Sequence, residues 1–397
     1  MFRKGCEMNQ IEKRKIWIIA IIMVLLFTII VLLGGGWFVS MRIKQGVLEP
    51  ERTSQPFDLE VVDLKDDRIT LRVTPQTKNA EWKSEGIWGL RWNGGYAQVG
   101  EILSRNDQHV VRTFVPMMKN LKPGDRVRLD GFPFPDDPLK SFNLPTKKIF
   151  FNSPLGEFAA FYLDGSQSIW VIFVHGKRDP PPRNPLRAYP ILPLVCKLGF
   201  PSLIITYRND IGTLANPDGY HWYGLTEWKD LEGAATYALE HGAEKLILVG
   251  YSMGGAIVMN FLHLSPLKGD VIGVILDSPM LDLSATIDHG ARQIGFPSIF
   301  TSLGKLTAGI RFKIDWKALN YLGRANELTV PILLFHGHAD RTIPVETSDA
   351  LAKARPDIVR YHRIHGATHI RSWNMNPTTY EETVSEFLKY LMAVKMM

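Results

Sequence analysis

The chain has 397 residues, 45% of them hydrophobic and 22% charged, an ordinary globular composition with room for one large domain and something smaller. Its net charge of +6 gathers at the start, in Arg3, Lys4, Lys13, Arg14 and Lys15; the balanced remainder leaves no basic stripe for nucleic acid. Cys6 and Cys196, the only cysteines, exclude a disulfide framework and a thiolate metal cluster.

Residues 1–15 read as a basic tail. Residues 16–41 carry no charge and are largely aliphatic, long enough for a transmembrane helix across the ~30 Å hydrocarbon core. A secretory signal peptide is the competing reading, but its apolar region runs ~7–15 residues and ends at a small-x-small site. Here the exit is Trp37-Phe38-Val39-Ser40-Met41-Arg42, an aromatic belt with no such site. The basic flank on the N-terminal side predicts a single-pass protein of the cell membrane, with the N-terminus cytoplasmic and residues 42–397 outside. Cys6 and Cys196 then face different compartments.

Residues 42–56 have no periodicity and read as a linker. From 57 to 138, short alternating runs predict a small antiparallel β module: Phe57–Leu64, Arg68–Val73, Gly86–Trp92, Tyr96–Leu103, His109–Val115 and Arg126–Leu129. Asn93-Gly94-Gly95 and Lys122-Pro123-Gly124-Asp125 are its turn signals. Trp82, Trp88, Trp92 and Tyr96 are expected to fill the module's core; a binding face is the alternative. No ligand-spaced cluster of His, Cys or carboxylates occurs in it, and its partner stays unassigned.

Residues 143–397 change character. A hairpin around Ser153-Pro154-Leu155-Gly156 precedes aliphatic strands at Ile169–Val174, Ser202–Tyr207, Lys245–Val249, Val271–Leu276, Pro331–Phe335 and Val359–Ile364. Helices between them are expected near Leu186–Leu198, Thr226–His241 and Thr378–Val394, with Thr226 capping the second. This alternation predicts an α/β domain, a mainly parallel sheet with helices on both faces. Residues 281–326 form a long insertion with apolar Phe296, Ile299, Phe300, Leu303 and Leu306, read as a small cap whose apolar side lines an acyl pocket.

Gly250-Tyr251-Ser252-Met253-Gly254 stands between a predicted strand and helix, the context in which G-x-S-x-G presents a nucleophile. An attacking serine needs a base, a group to orient the base, and donors for the oxyanion. Such groups stand on loops at the carboxyl ends of strands. Asp340 follows one strand in His336-Gly337-His338-Ala339-Asp340, and His369 follows the last in His365-Gly366-Ala367-Thr368-His369. Asp277, at the end of another strand, is the alternative acid, and His365 the alternative base. His336 and His338 read as orienting the acid loop, and His263 as packed or exposed on a helix. No histidine set or HExxH points to zinc, and no cofactor is expected.

In order, Ser252, Asp340 and His369 closely resemble the catalytic triad of the α/β-hydrolase fold superfamily over about Lys147 to the end. The chain looks most like bacterial esterases and serine peptidases of the prolyl oligopeptidase and serine aminopeptidase type. Tyr207-Arg208-Asn209-Asp210 and Thr226-Glu227-Trp228 resemble a poorly characterised bacterial subgroup. The resemblance implies Ser252 as nucleophile, His369 as base and then acid, and Asp340 as orienter. It implies an oxyanion hole from the backbone N–H groups of Met253 and Lys177, since Phe173-Val174-His175-Gly176-Lys177 follows an early strand. The reaction expected is hydrolysis of an ester, in a small-molecule acyl substrate; a peptide substrate of the same triad is the first rival. A silent scaffold on the hydrolase fold is the second.

Overall fold

The computed structural model describes residues 10–50, 55–77, 81–118, 120–134, 137–177 and 189–395. Cys6, and the start of the helix expected near Leu186, lie outside these residues.

The first element, α1 (Gln10–Ile43), passes straight into a π-helical turn at Lys44–Leu48. The linker expected from residue 42 is therefore helical in its first part, because it is packed. Val39, Ser40, Ile43 and Leu48 are buried against the rest of the protein, and burial of such side chains favours order over a free tether.

Six strands follow: β1 (Leu59–Lys65), β2 (Arg68–Val73), β3 (Trp88–Trp92), β4 (Gly95–Arg105), β5 (His109–Pro116) and β6 (Arg126–Asp130). They close into a barrel in the order β1-β2-β5-β4-β3-β6, with β6 pairing back onto β1. Closure leaves no sheet edge. Alternate residues point inward, and Trp82, Trp88 and Trp92 fill the core with Leu59, Val61, Leu71, Leu90 and Val127. Tyr96 is also buried and donates its hydroxyl to Phe132 O. These aromatics are thus buried, in the core role expected of them. Arg112 is enclosed as well, donating to the carbonyls of Gly100 (2.8 Å), Trp82 (3.2 Å) and Ser84. Burial pushes its pKa down to about 10, so it keeps its charge at neutral pH.

After α2 (Pro138–Phe142), the hydrolase-like part is built on β7 (Lys147–Ser153), β8 (Gly156–Leu163), β9 (Ile169–Val174), α3 (Leu192–Lys197), β10 (Ser202–Ile205), α4 (Trp228–Glu240), β11 (Lys245–Tyr251), α5 (Met253–Leu264), β12 (Val271–Asp277), α6 (Leu283–Gln293), α7 (Ser298–Phe312), β13 (Ile332–Gly337), α8 (Val345–Ala354), β14 (Val359–Ile364), α9 (Ser372–Met375) and α10 (Pro377–Lys395). The strands form one sheet in the order β14-β13-β12-β11-β9-β10-β8-β7. Neighbours from β10 to β14 are parallel, and β8 turns antiparallel against both β10 and β7. Alternation along β9 divides the core: Trp170, Ile172 and Val174 pack with α4 and α5, Ile169, Val171 and Phe173 with α3 and α10.

Two local expectations change. Thr226 does not cap α4; its Oγ1 accepts from Asn216 Nδ2 (3.0 Å), and Glu227 is the residue at the helix start. Glu227 turns inward instead and accepts the N–H groups of Trp222 (2.7 Å) and Gly224 (2.9 Å), tying down the preceding loop. In the insertion, Phe300 and Leu303 of α7 face α1, not an acyl pocket. A Cβ added at Gly35 would stand 2.2 Å from the Phe300 ring, and one at Gly304 2.2 Å from Val39. Small residues at these crossing points let the two helices approach closely.

The barrel rests on the segment just after His369. Ile87 N–H donates to Asn374 O (2.8 Å), Asn374 Nδ2 donates to Gly131 O (3.0 Å), and the Arg371 guanidinium lies over the rings of Trp88 (5.6 Å) and Phe132 (5.2 Å).

Arg112→Met keeps the stem's volume but orphans buried carbonyls, each worth ~1–3 kcal/mol. Urea unfolding followed by tryptophan fluorescence is expected to show a loss of about 3 kcal/mol; an unchanged midpoint would contradict the internal role of Arg112.

Candidate active site

Strand β11 runs into α5 through Ser252, whose backbone sits at φ +51°, ψ −118°. A non-glycine residue costs ~1–3 kcal/mol in such a region and persists only where its surroundings force it. Here they do. Ser252 N–H donates to Asp277 O (3.1 Å), while Ser252 O accepts from Gly255 (2.9 Å) and Met280 (3.0 Å). The turn closes because Gly254 passes directly beneath β9; a Cβ there would meet Val174 O at 2.1 Å.

The strained turn aims Ser252 Oγ at the loop after β14. His369 Nε2 lies 2.9 Å from Ser252 Oγ, and His369 Nδ1 lies 2.7 Å from Asp340 Oδ2. Asp340 is fixed in turn. Its Oδ1 accepts the N–H groups of Thr342 (2.8 Å) and Ile343 (2.9 Å), and His336 Nε2 stands 3.2 Å from Oδ2. Burial would raise the Asp340 pKa; the facing imidazoles of His369 and His336 overcome it and hold the carboxyl well below the usual carboxylate range. An ionised orienter next to an imidazole stabilises the imidazolium form.

On the other side of the serine, Gly176 abuts it so tightly that a Cβ would stand 2.8 Å from Ser252 Cβ. This loop after β9 is braced from below. The ring nitrogens of His175 face Gly176 O (2.7 Å) and Asp210 Oδ2 (2.8 Å), and Tyr207 OH donates to His175 O (2.9 Å) and Gly176 O (3.0 Å). Arg208 forms a buried two-pronged pair with Asp230, at 2.7 Å from each nitrogen. The Tyr207-Arg208-Asn209-Asp210 stretch thus supports the loop that carries Lys177. Met253, at the first position of α5, is among the N–H groups that a helix start leaves without an intrahelical acceptor.

The remaining candidates separate from this group. Asp277 is buried and accepts from Ser278 Oγ (3.1 Å), Ser372 Oγ (3.0 Å) and Tyr380 OH (3.2 Å), and these hydroxyls, not His369, face its carboxylate. Burial pushes its pKa up, and the Ser372 and Ser278 hydroxyls offset this in part. His365 is exposed and stacks on His338 at 5.9 Å; His338 in turn accepts from Arg363 Nε (3.1 Å). His263 is a buried residue of α5, 3.2 Å from Glu327. Of the expected acid-loop orienters, His336 alone touches Asp340. Sequence reasoning missed His289 of α6, whose Nε2 donates to Asp340 O (3.2 Å); no motif marks it. It also gave no role to Tyr207 and Asp210, although both belong to the stretch that resembles the bacterial subgroup.

A mainly parallel sheet with a strained serine at the end of a central strand, and Asp and His loops after later strands, is the α/β-hydrolase fold. The comparisons with known proteins agree. Residues 226–313 match the family described as serine aminopeptidase, S33, and residues 60–130 match a domain of unknown function, DUF8805. The esterase Pf2001 of Pyrococcus furiosus shares the fold in two crystal forms. Their TM-scores are 0.51 and 0.50 and identities 19% and 20%, over 64% of this chain and 93% and 92% of the esterase. The uncharacterized protein YfhR of Escherichia coli K12 is 26% identical over 148 residues, 36% of this chain. That match spans 45% of the YfhR length.

Gly176→Ala is expected to push the serine and the braced loop apart. The predicted outcome is a fall in kcat of about 10²-fold or more, the scale of losing one oxyanion donor, in a variant that circular dichroism shows to be folded. Wild-type kcat in the folded variant would contradict the close approach.

Proposed function

We propose that the protein is a membrane-anchored serine hydrolase that cleaves a carboxylic ester through an acyl-enzyme on Ser252. The observation that carries this is the continuous Ser252–His369–Asp340 chain of 2.9 Å and 2.7 Å contacts beside Gly176. Ser252 Oγ attacks the acyl carbon and its proton passes to His369 Nε2. The N–H groups of Met253 and Lys177 receive the oxyanion. As the tetrahedral adduct collapses, His369 returns the proton to the leaving alcohol, and the acyl group stays on Oγ. Water then attacks with His369 as base, releasing the acid and restoring the serine. Asp340 stays ionised throughout and holds the ring in the tautomer this requires.

The esterase likeness favours an ester. The match of residues 226–313 to serine aminopeptidases favours a second reading, amide cleavage at a peptide N-terminus by the same steps. Burial of Val39, Ser40, Ile43 and Leu48 supports retention of α1 as an anchor, since removing a cleaved segment would strip these contacts. The basic flank supports an extracytoplasmic hydrolase domain.

A fluorophosphonate probe is expected to label the full chain and not Ser252→Ala. On p-nitrophenyl esters, Asp340→Asn should cut kcat by about 10⁴-fold through the wrong tautomer. Equal labelling of Ser252→Ala would sink the proposal, and activity kept in Asp340→Asn but lost in Asp277→Asn would reassign the acid. Faster turnover of aminoacyl p-nitroanilides than of esters would select the second reading.

A further inference from the structure

α1 and α7 run side by side in the same direction: Gly35 meets Phe300, Gly36 meets Leu303, Gly304 meets Val39 and Arg311 donates to Ser40 Oγ (2.7 Å). The placement of α7 relative to a bilayer rests on α1 being the anchor proposed above. With Ile16 at one edge of a ~30 Å hydrocarbon core and a rise of ~1.5 Å per residue, the other edge falls near Gly35. The start of α7 therefore stands at the level where α1 leaves the hydrocarbon, with its first turn in the headgroup layer and the rest of the helix above it.

At that level the surface turned away from the protein is apolar. Ile294, in the turn before α7, is 79% exposed; Ile299, Leu306 and Ile310 are exposed in line at i, i+7 and i+11, one face of the helix. Leu33, Trp37 and Phe38 of α1 are exposed near the height of Ile299, so both helices present apolar side chains at that level. Exposed large apolar side chains gathered at one level mark an interaction site. The basic groups near it are tied inward or suit a lipid surface. Lys305 Nζ pairs with Asp288 (2.6 Å) and Arg311 stacks over Trp37 (3.4 Å), while Arg292 stays exposed beside Ile294. An exposed arginine next to an isoleucine at this depth fits anionic headgroups.

The reacting serine is tied to α1 and α6 through short chains of contacts. The turn after α1 gives Gly46 O and Val47 O to Lys177 Nζ, each at 2.9 Å, and Gly176 next to Lys177 abuts Ser252. On the cap side, α6 reaches Asp340 through His289. We propose that the turn joining α6 and α7, with Ile294 and Ile299, lies in the headgroup layer beside α1, and that the site takes its acyl donor from that layer. The substrate class is then an amphiphilic ester whose acyl chain is drawn from the bilayer as its ester bond reaches Ser252.

The test uses the full chain with Cys6 and Cys196 replaced by serine, reconstituted in phosphatidylcholine–phosphatidylglycerol nanodiscs. Single cysteines at Met23, Ile294, Ile299 and the distant Glu240 carry a bimane label. Shallow nitroxide lipid is expected to quench the labels at Ile294 and Ile299, and deep nitroxide lipid the label at Met23, with Glu240 unquenched. Quenching at Met23 with none at Ile294 and Ile299 overturns the proposal and leaves the anchor standing; none at Met23 overturns both. Kinetics supply the second readout. Ile294→Asp with Ile299→Asp should slow hydrolysis of p-nitrophenyl palmitate dispersed in the same lipid by about tenfold, and leave p-nitrophenyl acetate in water unchanged. Equal loss on both esters, or none on either, overturns the substrate class. Failure of native protein on both esters would instead strike at the hydrolase reading.

Discussion

The backbone of Ser252, held at positive φ between a strand and a helix, is the constraint from which the candidate site derives. A strained residue cannot hold its own conformation, so its surroundings must. That requirement reaches far along the chain. Gly254 must pass under Val174 and Gly176 must crowd the serine, while the Asp277 carbonyl must accept its N–H. The strain also fixes direction, since it leaves Oγ pointing at the one loop that carries His369.

Parts of the chain outside the sheet hold the loops on either side of that serine. The barrel clasps residues 371–375, next to His369, through Ile87, Gly131 and the rings of Trp88 and Phe132. The exit of α1 holds Lys177 through two carbonyls, and Tyr223 OH donates to the second of them (3.0 Å). Both appendages therefore belong to the site's framework as much as to topology. A loop positioned by packing against a rigid neighbour loses less order than one left in solvent, which is what a preformed catalytic constellation needs.

Much of this is legible in the sequence, for identifiable reasons. Ser252, Asp340 and His369 each come after an aliphatic run, and strand ends are where such folds gather reactive groups. The barrel strands show period-two alternation with clear turn residues, but nothing local encodes closure, which depends on β6 returning to β1. The exit of α1 is illegible because Lys44 to Leu48 lacks a helical pattern; tertiary contacts to Tyr223, His221 and Lys177 impose its shape. The apolar residues of α7 are visible, but their direction is not: Phe300 and Leu303 turn to α1 only because Gly35 and Gly36 leave room. His289 sits on a helix with no motif around it, so only the fold brings it to Asp340.

The proposed chemistry depends on an acyl group resting on Ser252. Acid-quenching the protein during the first turnover of a p-nitrophenyl ester, followed by peptide mass spectrometry, tests this directly. The expected result is an added acyl mass on the peptide holding Gly250–Gly255, lost in Ser252→Ala. Ester turnover at full rate with no adduct there, or with the adduct on another residue such as Ser278, would contradict it.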